Sequence, residues 1–233
     1  MCGRYSLFTS PEELEARFDA SFEHPFEPRY NAAPSQELPV IRDASPETIE
    51  ELRWGLVPSW ADDPAIGDRL INARAETVGR RRSFRDAYES RRCLVLADGF
   101  YEWTDTGQGT QPYRVALESG EPFAMAGLWE TWQPPQRQTG LADFGSGEPD
   151  READPVETFT IVTTEPNETV EPLHDRMAVV LPPENEDRWL DGEASGEVLA
   201  PHPGEMRASP VSTAVNDPAN DSPALVEEVE PAD

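Results

Sequence analysis

CLVLADGFYEWT (93–104) is dense in apolar and aromatic residues, follows an arginine pair, and reads as a β-strand. The same texture recurs downstream in PYRVAL (the 113–118 region), FAMAGLWETW (123–132), TFTIVTT (158–164) and MAVVL (177–181). Upstream, LPVIRD (38–43) and TIEELRWGLV (48–57) read as two strands around a polar turn. Helical signals are short. PEELEARF (11–18) has Ser10 as N-cap, Pro11 at the first position and Glu13 placed to close a capping box. SFRDAYES (83–90), EPNETVEPL (165–173) and ENEDRWLD (184–191) also read as helices. Many strands with few, short helices predict an α+β fold, a single domain over 1–233 built on a curved mixed β-sheet. Residues 133–157 are polar, acidic and rich in Gly and Pro, and read as a flexible surface insertion between two strands. Residues 218–233 read as an acidic C-terminal segment, on which Leu225, Val226 and Val229 are positioned to dock, with the last few residues loose.

The composition narrows the functional classes. The chain has 233 residues, 37% of them hydrophobic, with six Trp, which is enough for a real core. No apolar run approaches the ~18 residues a membrane span needs. The start, MCGRYSLFTSPEELEARF, lacks the apolar region of a signal peptide. Two cysteines, Cys2 and Cys93, make a disulfide framework unsuited to this chain. These readings predict a soluble, cytoplasmic protein. The net charge is −27, and every basic residue is Arg, with no Lys. Because Asp and Glu are spread along the whole chain rather than gathered in a tail, a high-salt, halophile-type cytoplasm is the expected setting.

A charge of −27 argues against nucleic acid at first sight. One window departs from it. Between Arg69 and Arg92, eight arginines less three acids leave +5. Such a patch on an acidic body suits a DNA groove, although FRDAYESRR also reads as a solvated helix face.

The most reactive feature is at the start. Initiator methionine is normally removed when the second residue is small, so Cys2 is expected to carry a free α-amine. That amine titrates near ~7.7–8.0, against ~10.4 for a Lys ammonium, so much of it is nucleophilic at neutral pH. The thiol is on the adjacent carbon. An aldehyde meeting this pair forms an imine with the amine, and the thiol then closes a five-membered thiazolidine. Without any Lys, Schiff-base chemistry has no other primary amine to use. Taken alone, a Cys at position 2 reads more readily as an incidental core residue.

Its context is more specific. MCGRYS, RYNAAPS (29–35), WGLVPSW (54–60), LINARAET (70–77), ADGFYEW (97–103), AGLWE (126–130), TIVTT (160–164) and LHDRMAVVL (173–181) occur in that order. Together they resemble the SRAP family, the SOS response-associated peptidases or abasic-site processing proteins, from residue 2 to about 217. The resemblance implies a sheet folded into a pseudo-barrel with short flanking helices. It also implies sensing of abasic sites in single-stranded DNA, with a covalent crosslink through Cys2 that shields the lesion during the DNA damage response. Carried over, Cys2 is the nucleophile and Glu102 the acid–base group that sugar opening and loss of water require. Phe100, Tyr101 and Trp103 around Glu102 suggest a partly apolar setting that raises its pKa. His174 matches a His that protonates the sugar ring oxygen or stabilises the open form. Asn72 matches an active-site Asn able to hold the Cys2 backbone or thiol. Arg4 and Arg74 match phosphate-binding positions, Arg176 lies beside His174, and Trp60 is placed to stack on a base. At ~1 M salt the Debye length is only about 3 Å, so close contacts would outweigh long-range steering.

Two positions depart from the family pattern. Ala178 stands where Pro is common, which is expected to loosen the turn behind His174. Ala61 stands where some relatives have a second aromatic, which predicts a weaker DNA wedge. The chain has three His, with His24 and His202 in loop-like contexts, so neither metal nor cofactor is expected. Nor is an obligate protein partner; a monomer is expected. Two other readings stand beside the crosslinker. One is an N-terminal-Cys peptidase, which would need a leader where only Met1 precedes Cys2. The other is a non-catalytic binder of single-stranded or modified DNA.

Overall fold

The computed structural model describes residues 2–107, 109–134, 154–192 and 197–231. Fourteen strands and three α-helices are present among them. The strands are β1 (Tyr5–Leu7), β2 (Ser21–Phe22), β3 (Arg29–Ala32), β4 (Glu37–Arg42), β5 (Ser45–Trp54), β6 (Asn72–Arg74) and β7 (Arg92–Ala97). They continue with β8 (Gly99–Asp105), β9 (Thr110–Leu117), β10 (Phe123–Trp132), β11 (Val156–Thr164), β12 (Met177–Ala178), β13 (Val180–Leu181) and β14 (Met206–Pro210). The helices are α1 (Pro11–Phe18), α2 (Arg85–Ser90) and α3 (Pro183–Leu190).

Five strands close on themselves. β10 pairs with β7 and β11, β7 with β4, β4 with β5, and β5 returns in parallel to β11. This ring is the pseudo-barrel, with β6, β12, β13 and β2 added at its margins. Closure removes the exposed edges that an open sheet would present. Most of its strands are buried on both faces, with Val40, Ile41, Val95, Met125, Phe159 and Ile161 each 1% exposed or less. Gly127 on β10 shows how tight the packing is. A Cβ there would fall 2.7 Å from both Cys93 Sγ and Val95 Cγ2.

A second sheet, in the order β14–β9–β8–β1–β3, lies outside the ring. The stretch 93–104 supplies a strand to each sheet. It runs as β7 in the ring, breaks at Asp98 and continues as β8 in the second sheet, so one expected strand is two. The break has a cause. The Asp98 carboxylate accepts hydrogen bonds from Phe8 N, Thr9 N and the Ser6 hydroxyl, and pairs with Arg114. A buried carboxylate needs such partners, and meeting them turns the chain from one sheet to the next.

Local signals explain the helices that form. α1 begins with the expected capping box, Ser10 and Glu13 each reaching back to the other's backbone. α2 forms the C-terminal part of the segment expected for it, and α3 is displaced by one residue toward the N-terminus of its expected segment. Residues 165–173 do not form a helix. Pro166 and Pro172 remove two backbone donors, and Asn167 Oδ1 accepts from Val170 N, closing turns instead. The expected insertion over 133–157 is shorter on its far side, because Val156 and Glu157 already belong to β11, opposite Trp132 and Thr131. Its residues 135–153 lie outside the described residues. The C-terminal segment docks. Leu225 is buried with Tyr101, Val211 and Val215, and Val229 N donates to Pro210 O. Within WGLVPSW, Gly55 takes φ 126°, a conformation that disfavours any side chain, where its backbone touches that of Gly67.

Candidate active site

Cys2 directly precedes β1, and β8 is the neighbour of β1 in the second sheet. The register pairs Tyr5 with Phe100, and Tyr101 N donates to Arg4 O at 3.0 Å. Continuing that register one step places Gly3 opposite Glu102. Sheet pairing thus brings the second residue of the chain beside a carboxyl group a hundred residues away. β6 approaches from the ring, where Asn72 and Arg74 are paired with Ile161 and Thr163 of β11. Asn72 Nδ2 donates to Cys2 O at 2.8 Å, so the amide holds the backbone rather than the thiol. Its Oδ1 is buried with no hydrogen-bond partner among the described residues.

The Cys2 thiol is fully buried and lies 3.9 Å from Arg4 O. Burial pushes its pKa well above the ordinary thiol range, and the Glu102 carboxylate adds to the rise. Glu102 is 1% exposed. Burial pushes its carboxyl up to about 7, against the opposing pull of the amino-terminal charge; Asp175 contributes a smaller upward push. Such a group exchanges a proton at neutral pH.

The loop after β11 carries His174. Its ring Nδ1 lies 3.0 Å from the Arg176 N–H and 2.9 Å from the Asp175 carboxylate. Burial, and next the amino-terminal charge, lower the imidazole pKa, which keeps the ring neutral. A neutral ring whose Nδ1 accepts from Arg176 N carries its proton on Nε2. The Asp175 carboxylate faces the same Nδ1 and pulls the other way, favouring a proton on the ring. The same loop meets β8, with the Thr104 hydroxyl 3.5 Å from both Pro172 O and Leu173 O. Ala178 lies in β12 opposite Thr163, fully buried, so the chain behind His174 is held by a strand pair.

The arginines divide. Arg74 is exposed and makes no side-chain ion pair or hydrogen bond among the described residues. Arg4 is committed inward, donating to Asn31 Oδ1 at 2.8 Å, Val215 O at 2.7 Å and Asn216 O at 3.2 Å. Arg176 pairs with Glu76 and donates to Thr163 O at 2.7 Å. Of the basic window, Arg92 is buried against Tyr88 and Trp189, and Arg91 pairs with Glu130, so neither adds to a surface patch. Arg69, Arg80, Arg81, Arg82 and Arg85 remain exposed. Trp60 is 40% exposed and packs under the Arg82 guanidinium at 4.2 Å, outside the core. Ala61 turns inward against Val57 and Trp132.

Sequence reading missed Asn31 and Asn216. Asn31 lies inside the quoted RYNAAPS block, but its use appears only once residues 215–220 fold back over β3. A cavity of about 770 Å³ opens elsewhere, between 166–171 and 201–206, and none of Cys2, Asn72, Glu102 or His174 lines it. Among the described residues, no group of three or more His, Cys, Asp or Glu is placed to hold a metal. No helix among them is long and apolar enough to cross a membrane.

The family described as SOS response associated peptidase (SRAP) matches residues 1–218. The chain belongs to the SRAP family. Relatives agree along nearly the whole length. The abasic site processing protein YoqW of Bacillus subtilis is 42% identical, covering 97% of this chain and 99% of its own. The abasic site processing protein HMCES of Gallus gallus is 32% identical, covering 88% of this chain and 67% of its own. A crystal structure of a Bacteroides thetaiotaomicron protein shares the fold, with a TM-score of 0.81 at 24% identity, over 98% of this SRAP chain and 100% of the other.

Proposed function

We propose that this SRAP protein senses abasic sites in single-stranded DNA and bonds to them covalently through Cys2, shielding the lesion. The observation that carries the reading is a Cys2 backbone held by Asn72 beside a buried Glu102 carboxyl that titrates at about 7. The names of the relatives, abasic site processing proteins, agree with it.

In the proposed sequence, the sugar opens to its aldehyde as the Glu102 carboxylate takes the proton of the anomeric hydroxyl, while the ring oxygen, hydrogen-bonded by His174 Nε2–H, takes a proton from solvent. The Cys2 α-amine, freed by removal of Met1, adds to the aldehyde carbon. Glu102, protonated, gives its proton to the departing hydroxyl, so water leaves and an imine remains. The thiol then adds to the imine carbon. Its proton passes to Glu102 and on to the ring nitrogen, closing the thiazolidine. Run backwards, the same steps reverse the crosslink, and loss of a C2′ proton from the imine with departure of the 3′-phosphate would give lyase-like chemistry. Arg74, the exposed arginines at 80–82 and 85, and Trp60 form the proposed DNA path. The burial that holds the Cys2 thiol protonated supports amine-first chemistry over a thiolate peptidase. A monomer in a high-salt cytoplasm belongs to the same proposal, supported by the −27 charge and the absence of Lys.

The test is a denaturing gel with single-stranded oligonucleotides that carry or lack an abasic site. A slower band is expected only with the abasic strand, and Cys2→Ala removes it. Cys2→Ala keeps an α-amine but lacks the thiol that closes the thiazolidine, so an adduct that survives there without borohydride reduction would refute the assignment. Binding without any covalent band would favour the non-catalytic reading, and cleavage of a peptide substrate the peptidase.

A further inference from the structure

The segment that follows β14 is fastened to both sides of the site. Arg4, two residues from Cys2, donates through Nη2 to Asn216 O at 3.2 Å. Trp103, next to Glu102, donates through Nε1 to Asn216 Oδ1 at 2.7 Å. One residue therefore links the strand that ends in the nucleophile to the strand that carries the carboxyl group. Asn31 locks it in place. It is 1% exposed, its Oδ1 accepts from Arg4 Nη1, and its Nδ2 faces Val215 O, Asp217 O and Asn220 O at 3.2, 3.0 and 2.9 Å. The Tyr101 hydroxyl donates to Tyr30 O at 2.6 Å, tying β8 to β3 beneath the same segment.

We propose that residues 215–220 are a clamp that sets the spacing between Cys2 and Glu102, with Asn216 and Asn31 as positioning residues. Neither asparagine needs to touch DNA. A β-strand end is free to fray, and Cys2 lies outside the last paired residue of β1. Asn72 holds its carbonyl from one side, and the clamp holds Arg4 from the other. Proton transfer between Glu102 and the Cys2 groups needs hydrogen-bond reach, so a loosened terminus slows the chemistry before it weakens binding.

The proposal rests on the covalent reading for its kinetic arm but has a second arm that does not. Asn216→Ala is the main variant, since Asn216 is exposed and its substitution leaves the fold intact. Asn216→Asp keeps the acceptor for Trp103, and Asn31→Ala loosens Arg4. With saturating abasic oligonucleotide, Asn216→Ala is expected to slow adduct formation roughly fivefold, the rate equivalent of one lost hydrogen bond. Affinity for an oligonucleotide carrying the unreactive tetrahydrofuran analogue stays within about twofold, and Asn216→Asp restores the rate. The second arm is alkylation of Cys2 by iodoacetamide, read by peptide mass with buried Cys93 as internal reference. It is expected to quicken several-fold in Asn216→Ala and Asn31→Ala and not in Asn216→Asp. Unchanged Cys2 alkylation in both alanine variants overturns the clamp, as does a loss of rate matched by an equal loss of affinity. If the wild-type protein forms no adduct, the covalent reading fails, and alkylation alone decides the clamp.

Discussion

Glu102→Gln should stabilise the protein at neutral pH and not in acid. The carboxyl group's ordinary value is 4.5, and burial raises it to about 7 in the fold. Below pH 4.5 it is protonated in both folded and unfolded chains and brings no penalty. As pH rises from 4.5 to 7, the unfolded chain releases the proton while the folded one retains it, so stability falls. Above 7 the loss is complete. At ~1.36 kcal/mol per pH unit the penalty comes to about 3 kcal/mol. For a chain of this size that is roughly 6–12 °C in Tm. The buried amide of Gln has a cost of its own, but that cost does not vary with pH. The quantity to measure is therefore the Tm difference between Glu102→Gln and wild type, by calorimetry at pH 4 and again at pH 7.5. The difference should move in favour of the variant by several degrees between the two. A difference that is constant across that range would refute the raised pKa and remove the physical basis for Glu102 as a proton-transfer group. The rate of adduct formation in wild type should likewise show a titration near pH 7 that Glu102→Gln lacks.

Asn72→Ala removes the hydrogen bond to Cys2 O and should slow adduct formation roughly tenfold, with affinity for the tetrahydrofuran oligonucleotide nearly unchanged. Arg74→Ala should weaken binding and reduce the slope of log affinity against log salt by ~0.7, the single-strand value for one phosphate contact, in a fluorescence titration. Arg176→Ala should instead lower Tm, because it removes the pair with Glu76 and the hydrogen bonds to Thr163 that tie the loop after β11 to the ring. Trp60→Ala should cost about 1–3 kcal/mol of single-strand affinity while leaving Tm within a degree or two, since the ring lies outside the core.

Local chemistry carries far in this chain. The Ser10–Glu13 capping box was legible because both partners are three residues apart and meet in one turn. β10 was legible end to end, since FAMAGLWETW is apolar from Phe123 to Trp129 and is buried on both faces over most of its length. Of the two misread stretches, one was decided locally and the other by a distant partner. Residues 165–173 have helical composition, but two prolines and Asn167 close turns there. Residues 93–104 look continuous, and only the donors from residues 6–9 gathered at Asp98 show why the strand divides.

The candidate site shows the same division. Sequence alone determined the reactive types: a Cys at position 2, a carboxyl group among aromatics, a lone His in its motif, and no Lys to compete. Those are properties of single residues and need no fold to be recognised. Tertiary structure decided what each does. It buried Glu102 and so pushed its pKa up to about 7, and it set the Arg176 N–H against His174 Nδ1. It gave the Asn72 amide to the Cys2 backbone, and it turned Arg4 and Arg176 inward while leaving Arg74 exposed. Desolvation and hydrogen-bond partnership depend on what surrounds a group. For Cys2 those surroundings include residues 72 and 102, which only the folded sheets bring together.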